Sequence, residues 1–184
     1  MDAQRMRSGR DEAFTAFMEA RYHSILRTAR LLTGGAPQAE DLAQETLMRT
    51  YRAWHRIGRL EAAEAYARTT MVRLLVKGRR RKWHGEVPAE QLPNAARPGH
   101  EDTSTTAVAV RRVLQTLPPA QRAVLVLRYF HQLSEEEIAG VLGCSRGTVK
   151  SRAARALAAL REGGVLAALS DDDAYDHEGV SDHD

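Results

Sequence analysis

Apolar residues recur through most of the chain at intervals of three and four, a spacing that predicts helices and no sustained strand. A first helix is expected from Asp11 to Leu32, stopped by Gly34-Gly35, residues that tolerate the left-handed turn at a helix end. A second starts near Pro37, a residue suited to a first turn, and runs to Ile57; a third spans Ala62 to Lys82, with Gly78 weakening its end. Helical spacing resumes over Thr106–Thr116. Pro118-Pro119 then opens a helix that ends near Phe130, and two short ones follow over Glu135–Leu142 and Arg146–Arg161.

Between the third and fourth helices the pattern lapses. Residues 85–105 hold Pro88, Pro93 and Pro98, half of all six prolines, and few large apolar side chains. Such a stretch reads as a flexible linker with an extended reach of about 65–70 Å. The segment 164–184, with Asp171-Asp172-Asp173, reads as a disordered acidic tail. The expected fold class is therefore all-α, two small helical domains (11–84 and 106–163) on a tether, without internal repeats.

Charge sharpens this picture. The chain of 184 residues has 27 Lys+Arg against 24 Asp+Glu, but eight of the acids lie at or beyond Glu162, where no Lys or Arg occurs. Residues 1–161 keep 27 basic against 16 acidic groups, a net of +11, and a body so basic points to a polyanionic partner. The 24 Arg to three Lys carry no functional weight, since such a ratio follows genome composition. One cysteine excludes an internal disulfide framework, the apolar runs are too short to cross a bilayer, and Met1–Arg10 lacks the apolar core of a signal peptide. A cytoplasmic protein without membrane insertion is expected.

The strongest local signal lies between Leu133 and Leu160. Ser134 and Glu137 have capping-box spacing, Leu133 and Ile138 that of a hydrophobic staple, and Gly143 suits a tight turn before a second cap at Ser145. Small Ala139, Gly143 and Val149 are spaced as in a helix-turn-helix. At 100° per residue Val149, Ala153, Ala156, Leu157 and Leu160 share the inner side of the last helix. Thr148, Ser151, Arg152 and Arg155 share the other, with Lys150 on the flank and Arg146 at the N-terminal end. This outer side offers hydroxyl and guanidinium donors and no acid, as a phosphate-lined groove requires.

The N-terminal helices divide as clearly. On the second, Ala43, Thr46, Leu47, Thr50, Ala53, Trp54 and Ile57 form an inward arc, opposite Asp41, Gln44, Glu45 and Met48, with Arg49 and Arg52 beyond. The acids are either a protein-docking patch or charges favoured by the helix dipole; the residues alone leave both open. On the third, Ala65, Ala67, Met71, Val72, Leu74, Leu75 and Val76 are expected inside. Tyr66, Thr69, Thr70, Arg73, Lys77, Arg80 and Arg81 form the outer stripe. An aromatic among basic groups suits stacked bases and held phosphates, and a solvated face is the alternative.

Catalytic chemistry finds no foothold. Cys144 has no basic partner in a nucleophile motif and reads as a packed thiol in the turn. His23, His55, His84, His100 and His131 lack ligand spacing, and His177 and His183 belong to a solvated tail, so no cofactor and no metal is expected. A repressor or response regulator would share the helix-turn-helix, but would add a ligand or phosphoacceptor domain with strands.

Three segments carry a resemblance to a known family: Ala39-Glu40-Asp41-Leu42-Ala43-Gln44-Glu45-Thr46-Leu47, Leu117-Pro118-Pro119-Ala120-Gln121-Arg122, and Leu142-Gly143-Cys144-Ser145-Arg146-Gly147-Thr148-Val149-Lys150-Ser151-Arg152. In this order and separation the chain resembles a sigma factor of bacterial RNA polymerase, in the sigma-70 superfamily. It is most similar to the short extracytoplasmic-function (ECF) group, and there to the actinobacterial sigma-E family type. The resemblance covers Asp11–His84 and Thr106–Arg161 and implies sigma domains two and four. It implies docking of Asp41, Gln44, Glu45 and Met48 on the β′ clamp helices of core RNA polymerase, with the β flap as a second contact. Promoter DNA would meet Tyr66, Thr69, Thr70, Arg73, Lys77, Arg80 and Arg81 at the −10 element. Arg146, Thr148, Lys150, Ser151, Arg152 and Arg155 would meet it at the −35 element. An anti-sigma factor is a further partner that the resemblance allows. Members of the group commonly carry Asn where Arg73 stands, and arginine there can hold phosphate or guanine. The tail leaves two readings open, a solubilising segment or acids that fold back on Arg152 and Arg155 to compete with DNA. Deleting 164–184 decides between them at low salt: unchanged DNA affinity is expected for a solubilising tail, tighter binding for a competing one.

Overall fold

The computed structural model describes residues 2–57, 60–83 and 105–162, with side chains over 9–57, 60–76 and 106–162. Seven α-helices occur there in the order α1 (Asp2–Thr33), α2 (Ala36–Ile57), α3 (Leu60–Trp83), α4 (Thr105–Thr116), α5 (Pro119–Leu125), α6 (Glu135–Leu142) and α7 (Arg146–Glu162). A π-helical turn, Val126–Phe130, extends α5. No strand occurs among the described residues, and the fold is all-α. The chain divides into two compact units, one built from α1–α3 and one from the helices after residue 104. The expected linker 85–105 and tail 164–184 lie outside the described residues.

In the first unit α2 packs against both α1 and α3. Gly34, at φ 85°, supplies the left-handed turn that ends α1, and its N–H reaches the Arg30 carbonyl at 2.9 Å. The core joins Phe17, Ala29 and Leu32 of α1 to Ala39, Ala43, Thr46, Leu47, Thr50 and Ala53 of α2 and to Ala63, Ala67, Met71 and Val72 of α3. Thr46 and Thr50 are fully buried because each hydroxyl donates to the carbonyl four residues back, Leu42 O at 2.7 Å and Thr46 O at 2.8 Å. Trp54 is half-buried, with its ring edge-on to Phe14 at 5.3 Å and tilted to Phe17 at the same distance.

Two details differ from the sequence pattern. Ala65, expected inside, is exposed, and Ala63 takes the buried place in line with Ala67 and Met71. A run of small alanines does not mark its own inner face; the partner helices choose it. The first helix also continues upstream of Asp11 to Asp2. Two turns in, it is tied to α2: Arg10 Nη2 donates to the Tyr51 hydroxyl at 2.9 Å, and that hydroxyl donates to Asp11 Oδ1 at 2.8 Å. The Tyr51 hydrogen bond, helped by Asp11, raises the Arg10 guanidinium above its ordinary pKa.

In the second unit α5 packs against α7. Six consecutive residues, Arg122 to Leu127, are buried, so this helix is enclosed on all sides rather than on one stripe. Within the π-helical turn the His131 N–H bonds Val126 O at 3.2 Å, and the Leu133 N–H returns to Leu127 O at 3.0 Å. These bonds hold Gln132 at φ 54°, a left-handed conformation costing a side chain about 1–2 kcal/mol. Among the described residues no helix is long and apolar enough to cross a membrane.

Phe17 is fully buried beside Phe14 and Trp54. Phe17→Ala is expected to destabilise the first unit by about 3–5 kcal/mol, read as a lower urea midpoint of the full chain.

Candidate nucleic-acid interface

The helix-turn-helix is set by local chemistry at each end of α6. The Ser134 N–H donates to Glu137 Oε2 at 2.8 Å, and the Glu137 N–H donates back to Ser134 Oγ at 3.3 Å, a complete capping box. Ile138 behind it is fully buried. Gly143 follows α6 at φ 63°, and the Cys144 N–H closes the turn on Ala139 O at 3.1 Å. Ser145 Oγ then accepts the Thr148 N–H at 3.1 Å and caps α7.

These caps leave α7 two distinct sides. Val149, Ala153, Ala156 and Leu160 are buried and Leu157 is half-buried, the inner face expected from periodicity. Arg146, Lys150 and Arg155 are exposed, while Thr148, Ser151 and Arg152 are half-buried. The Thr148 hydroxyl lies 2.9 Å from Ser145 Oγ, and Ser151 Oγ donates to Thr148 O at 3.1 Å. Arg152 Nη1 donates to Cys144 Sγ at 3.7 Å, a weak bond that steadies the guanidinium against the turn. The structure thus brings all six expected residues onto one helix, with three charged heads in solvent.

Neighbouring elements add residues that pattern reading passed over. Glu135 at the start of α6 pairs with Arg128 Nη1 at 3.3 Å and with Lys150 Nζ at 3.8 Å. Arg122 is buried, and its guanidinium bonds Gln115 Oε1, Gln115 O at 3.3 Å and Leu117 O at 3.0 Å. It therefore caps the end of α4 from within α5 and is structural. The available signal was its place at the head of an apolar run, where arginine must find partners or leave the core.

In the first unit, Asp41, Gln44 and Met48 are exposed on α2 and Glu45 is half-buried, opposite the buried arc. Glu45 accepts from Arg49 Nε at 2.6 Å, and Met48 Sδ lies 3.8 Å from Arg52 Nη2. The patch is thus an apolar thioether among carboxylates with basic groups one turn on. On α3, Tyr66 and Arg73 are exposed and Thr69 and Thr70 half-buried. Lys77, Arg80 and Arg81 fall within the helix, but their side chains lie outside the described residues. Among those described, no group of three or more His, Cys, Asp and Glu could hold a metal ion.

The described residues thus form two helical units, the second carrying a helix-turn-helix whose outer side is basic. Residues 5–85 match the family described as Sigma-70 region 2, and residues 107–160 the family described as Sigma-70, region 4. The RNA polymerase sigma-E factor of Streptomyces avermitilis is 40% identical over 149 residues, covering 81% of this chain and 83% of that protein. The ECF RNA polymerase sigma factor SigL of Mycobacterium tuberculosis is 33% identical over 163 residues, covering 84% and 92%. The fold is shared with the sigma factor RpoE of Bartonella quintana, solved with the anti-sigma factor NepR. That likeness has a TM-score of 0.60 at 24% identity and covers 84% of this chain and 97% of that one. The chain belongs to the sigma-70 family, in its ECF group, and is a sigma factor of transcription initiation built from regions 2 and 4.

Arg122→Met keeps the stem's volume and removes the donors. It is expected to destabilise the second unit by about 1–3 kcal/mol for the buried carbonyls it strands, measured by thermal unfolding of the full chain.

Proposed function

We infer that this sigma factor binds core RNA polymerase and directs promoter-specific initiation by reading a −35 element with α7 and holding a melted −10 element on α3. The observation that carries this reading is the outer side of α7, where Arg146, Lys150 and Arg155 stand exposed while the inner side is closed in the core. Guanidinium forks match guanine edges and phosphates, and the hydroxyls of Thr148 and Ser151 with Arg152 complete the surface. On α3 the exposed Tyr66 offers a ring for an unpaired base. Thr69, Thr70 and Arg73 continue the stripe along the strand's phosphates, and the reading assigns Lys77, Arg80 and Arg81 to the same strand.

The polymerase contact in this reading is the α2 patch of Asp41, Gln44, Glu45 and Met48 on the β′ clamp helices, with the second unit on the β flap. An exposed thioether beside carboxylates suits a basic protein surface better than DNA, which the acids would repel. In domain terms, 11–84 serve docking and the −10 element, 85–105 connect, 106–163 serve the −35 element, and 164–184 add acidity. An anti-sigma factor, the kind of protein bound to RpoE in its solved structure, is the third partner class. The reading places the protein in the cytoplasm with the polymerase. Its chemistry is binding rather than catalysis: stacking and phosphate contacts offset the cost of unpairing the duplex.

Run-off transcription with purified core polymerase and a promoter library tests the whole reading. Start-site selection that depends on this chain is expected, and its absence on every template would end the proposal. Holoenzyme–promoter affinity should fall linearly with salt on a log–log scale, by about 0.9 in slope for each phosphate neutralised. Tyr66→Ala should weaken binding to a fork with a single-stranded −10 segment by about 1–3 kcal/mol and leave core polymerase binding unchanged. Glu45→Ala should do the reverse, loosening core binding about tenfold, as loss of about 1.4 kcal/mol at an interface would.

A further inference from the structure

The outer side of α2 changes sign along its length. Its first half carries Asp41 and Glu45, and its second half carries Arg49, Arg52 and Arg56, all three exposed. Arg49 is engaged, its Nε 2.6 Å from Glu45 Oε1. Arg52 has the Met48 thioether 3.8 Å from its Nη2, and Arg56 makes no hydrogen bond or ion pair among the described residues. The helix dipole favours cations in the last turn, which accounts for His55 and Arg56 but not for Arg52 a turn earlier.

Chain connectivity sets these two arginines beside the exposed aromatic of α3. Two residues separate Ile57 from Leu60, so α2 and α3 run antiparallel and the end of one adjoins the start of the other. Tyr66 stands about 9 Å along α3 from Leu60, and Arg52 about 8 Å along α2 from Ile57, so the two are level. Tyr51 faces α1 through its bonds to Arg10 and Asp11. Arg52 and Arg56 lie about 100° and 140° round α2 from Tyr51, on the flank away from α1. On α3 the exposed Glu61 lies about 140° round the helix from Tyr66, and Glu64 is held by Arg21 at 3.1 Å. Asp41 is about 17 Å along α2 from Arg52, beyond the Debye length of about 8 Å at physiological salt.

We propose that Arg52 and Arg56 form a further binding site for the melted strand, holding phosphates next to the base stacked on Tyr66. This rests on the reading of α3 as the holder of that strand. A ring that takes one base leaves phosphates on either side of it, and each favours a nearby cation. Arg73 serves farther along α3, and α2 serves across the seam between the helices. One outer side of α2 then meets two partners, polymerase at its acidic half and DNA at its basic end.

The test uses holoenzymes carrying the full chain and a fork with a single-stranded −10 segment. The fork is intact or carries one uncharged methylphosphonate linkage, placed at each position in turn. Arg52→Gln and Arg56→Gln are each expected to bind the intact fork about two- to fivefold more weakly, with a log–log salt slope shallower by about 0.7 and core polymerase binding unchanged. Arg52→Lys and Arg56→Lys keep the charge and should stay within about twofold of wild type. Arg27→Gln, at an exposed site about 26 Å along α1 from Arg10, controls for charge alone and should match wild type. A methylphosphonate next to the base held by Tyr66 should weaken the wild type and leave the Arg52→Gln/Arg56→Gln double variant unaffected, the coupling expected of a direct contact. Equal losses at every linkage in wild type and double variant would overturn the proposal. So would arginine variants that lose core polymerase binding instead of fork binding, which would assign this end of α2 to a protein surface. If Tyr66→Ala weakens fork binding while the arginine variants are silent, the reading of α3 stands and this inference alone fails. If Tyr66→Ala and the arginine variants all leave fork binding unchanged, both fail.

Discussion

Burial of Val149, Ala153, Ala156 and Leu160 in the core of the second unit sets the rotation of α7 about its own axis, and that rotation decides which side chains can face a partner. Turned by one residue, about 100°, the same helix would put Lys150 toward the core and Val149 toward solvent. The fully enclosed α5 is what makes the setting firm. With Ala123, Val124 and Leu127 wholly buried, it is a rigid support rather than a surface helix, and α7 has one way to lie on it. The capping box at Ser134 and the left-handed Gly143 then fix where α7 begins, so axis rotation and starting point are specified independently.

The first unit obeys the same logic with a different outcome. Because α2 is packed by both α1 and α3, its exposed side lies opposite the buried arc and carries Asp41, Gln44 and Met48, with Arg49 and Arg52 farther along. The neighbouring α3 presents Tyr66 and Arg73 instead. Packing alone keeps the outer side of α2, with Asp41, apart from the outer side of α3, with Arg73.

Arginine plays opposite parts in the second unit. Arg122 is drawn inside because three acceptors around the end of α4 bind its two terminal nitrogens, and it joins two helices. Arg146 and Arg155 stay in solvent because nothing in the core offers them an acceptor. Arg128 sits between these extremes, half-buried and paired with Glu135, and through that carboxylate it bears on Lys150. The basic surplus of the chain is therefore not one patch but a graded set, from structural pin to exposed donor.

What was legible in the sequence was what depends on neighbours within about one helical turn. The helix over Glu135–Leu142, the Ser134–Glu137 box, the Gly143 turn and the two sides of α7 all arise from spacings of three or four residues, which periodicity and capping chemistry report directly. The tertiary structure alone decided that Ala63 rather than Ala65 is buried, that Tyr51 ties down Arg10 and Asp11, that Arg122 belongs to the core, and that Glu135 bridges Arg128 and Lys150. Each of these depends on which helix lies against which. Local spacing carries no record of that choice, because alanines, arginines and glutamates suit a solvated helix face as well as they suit the contacts they make here.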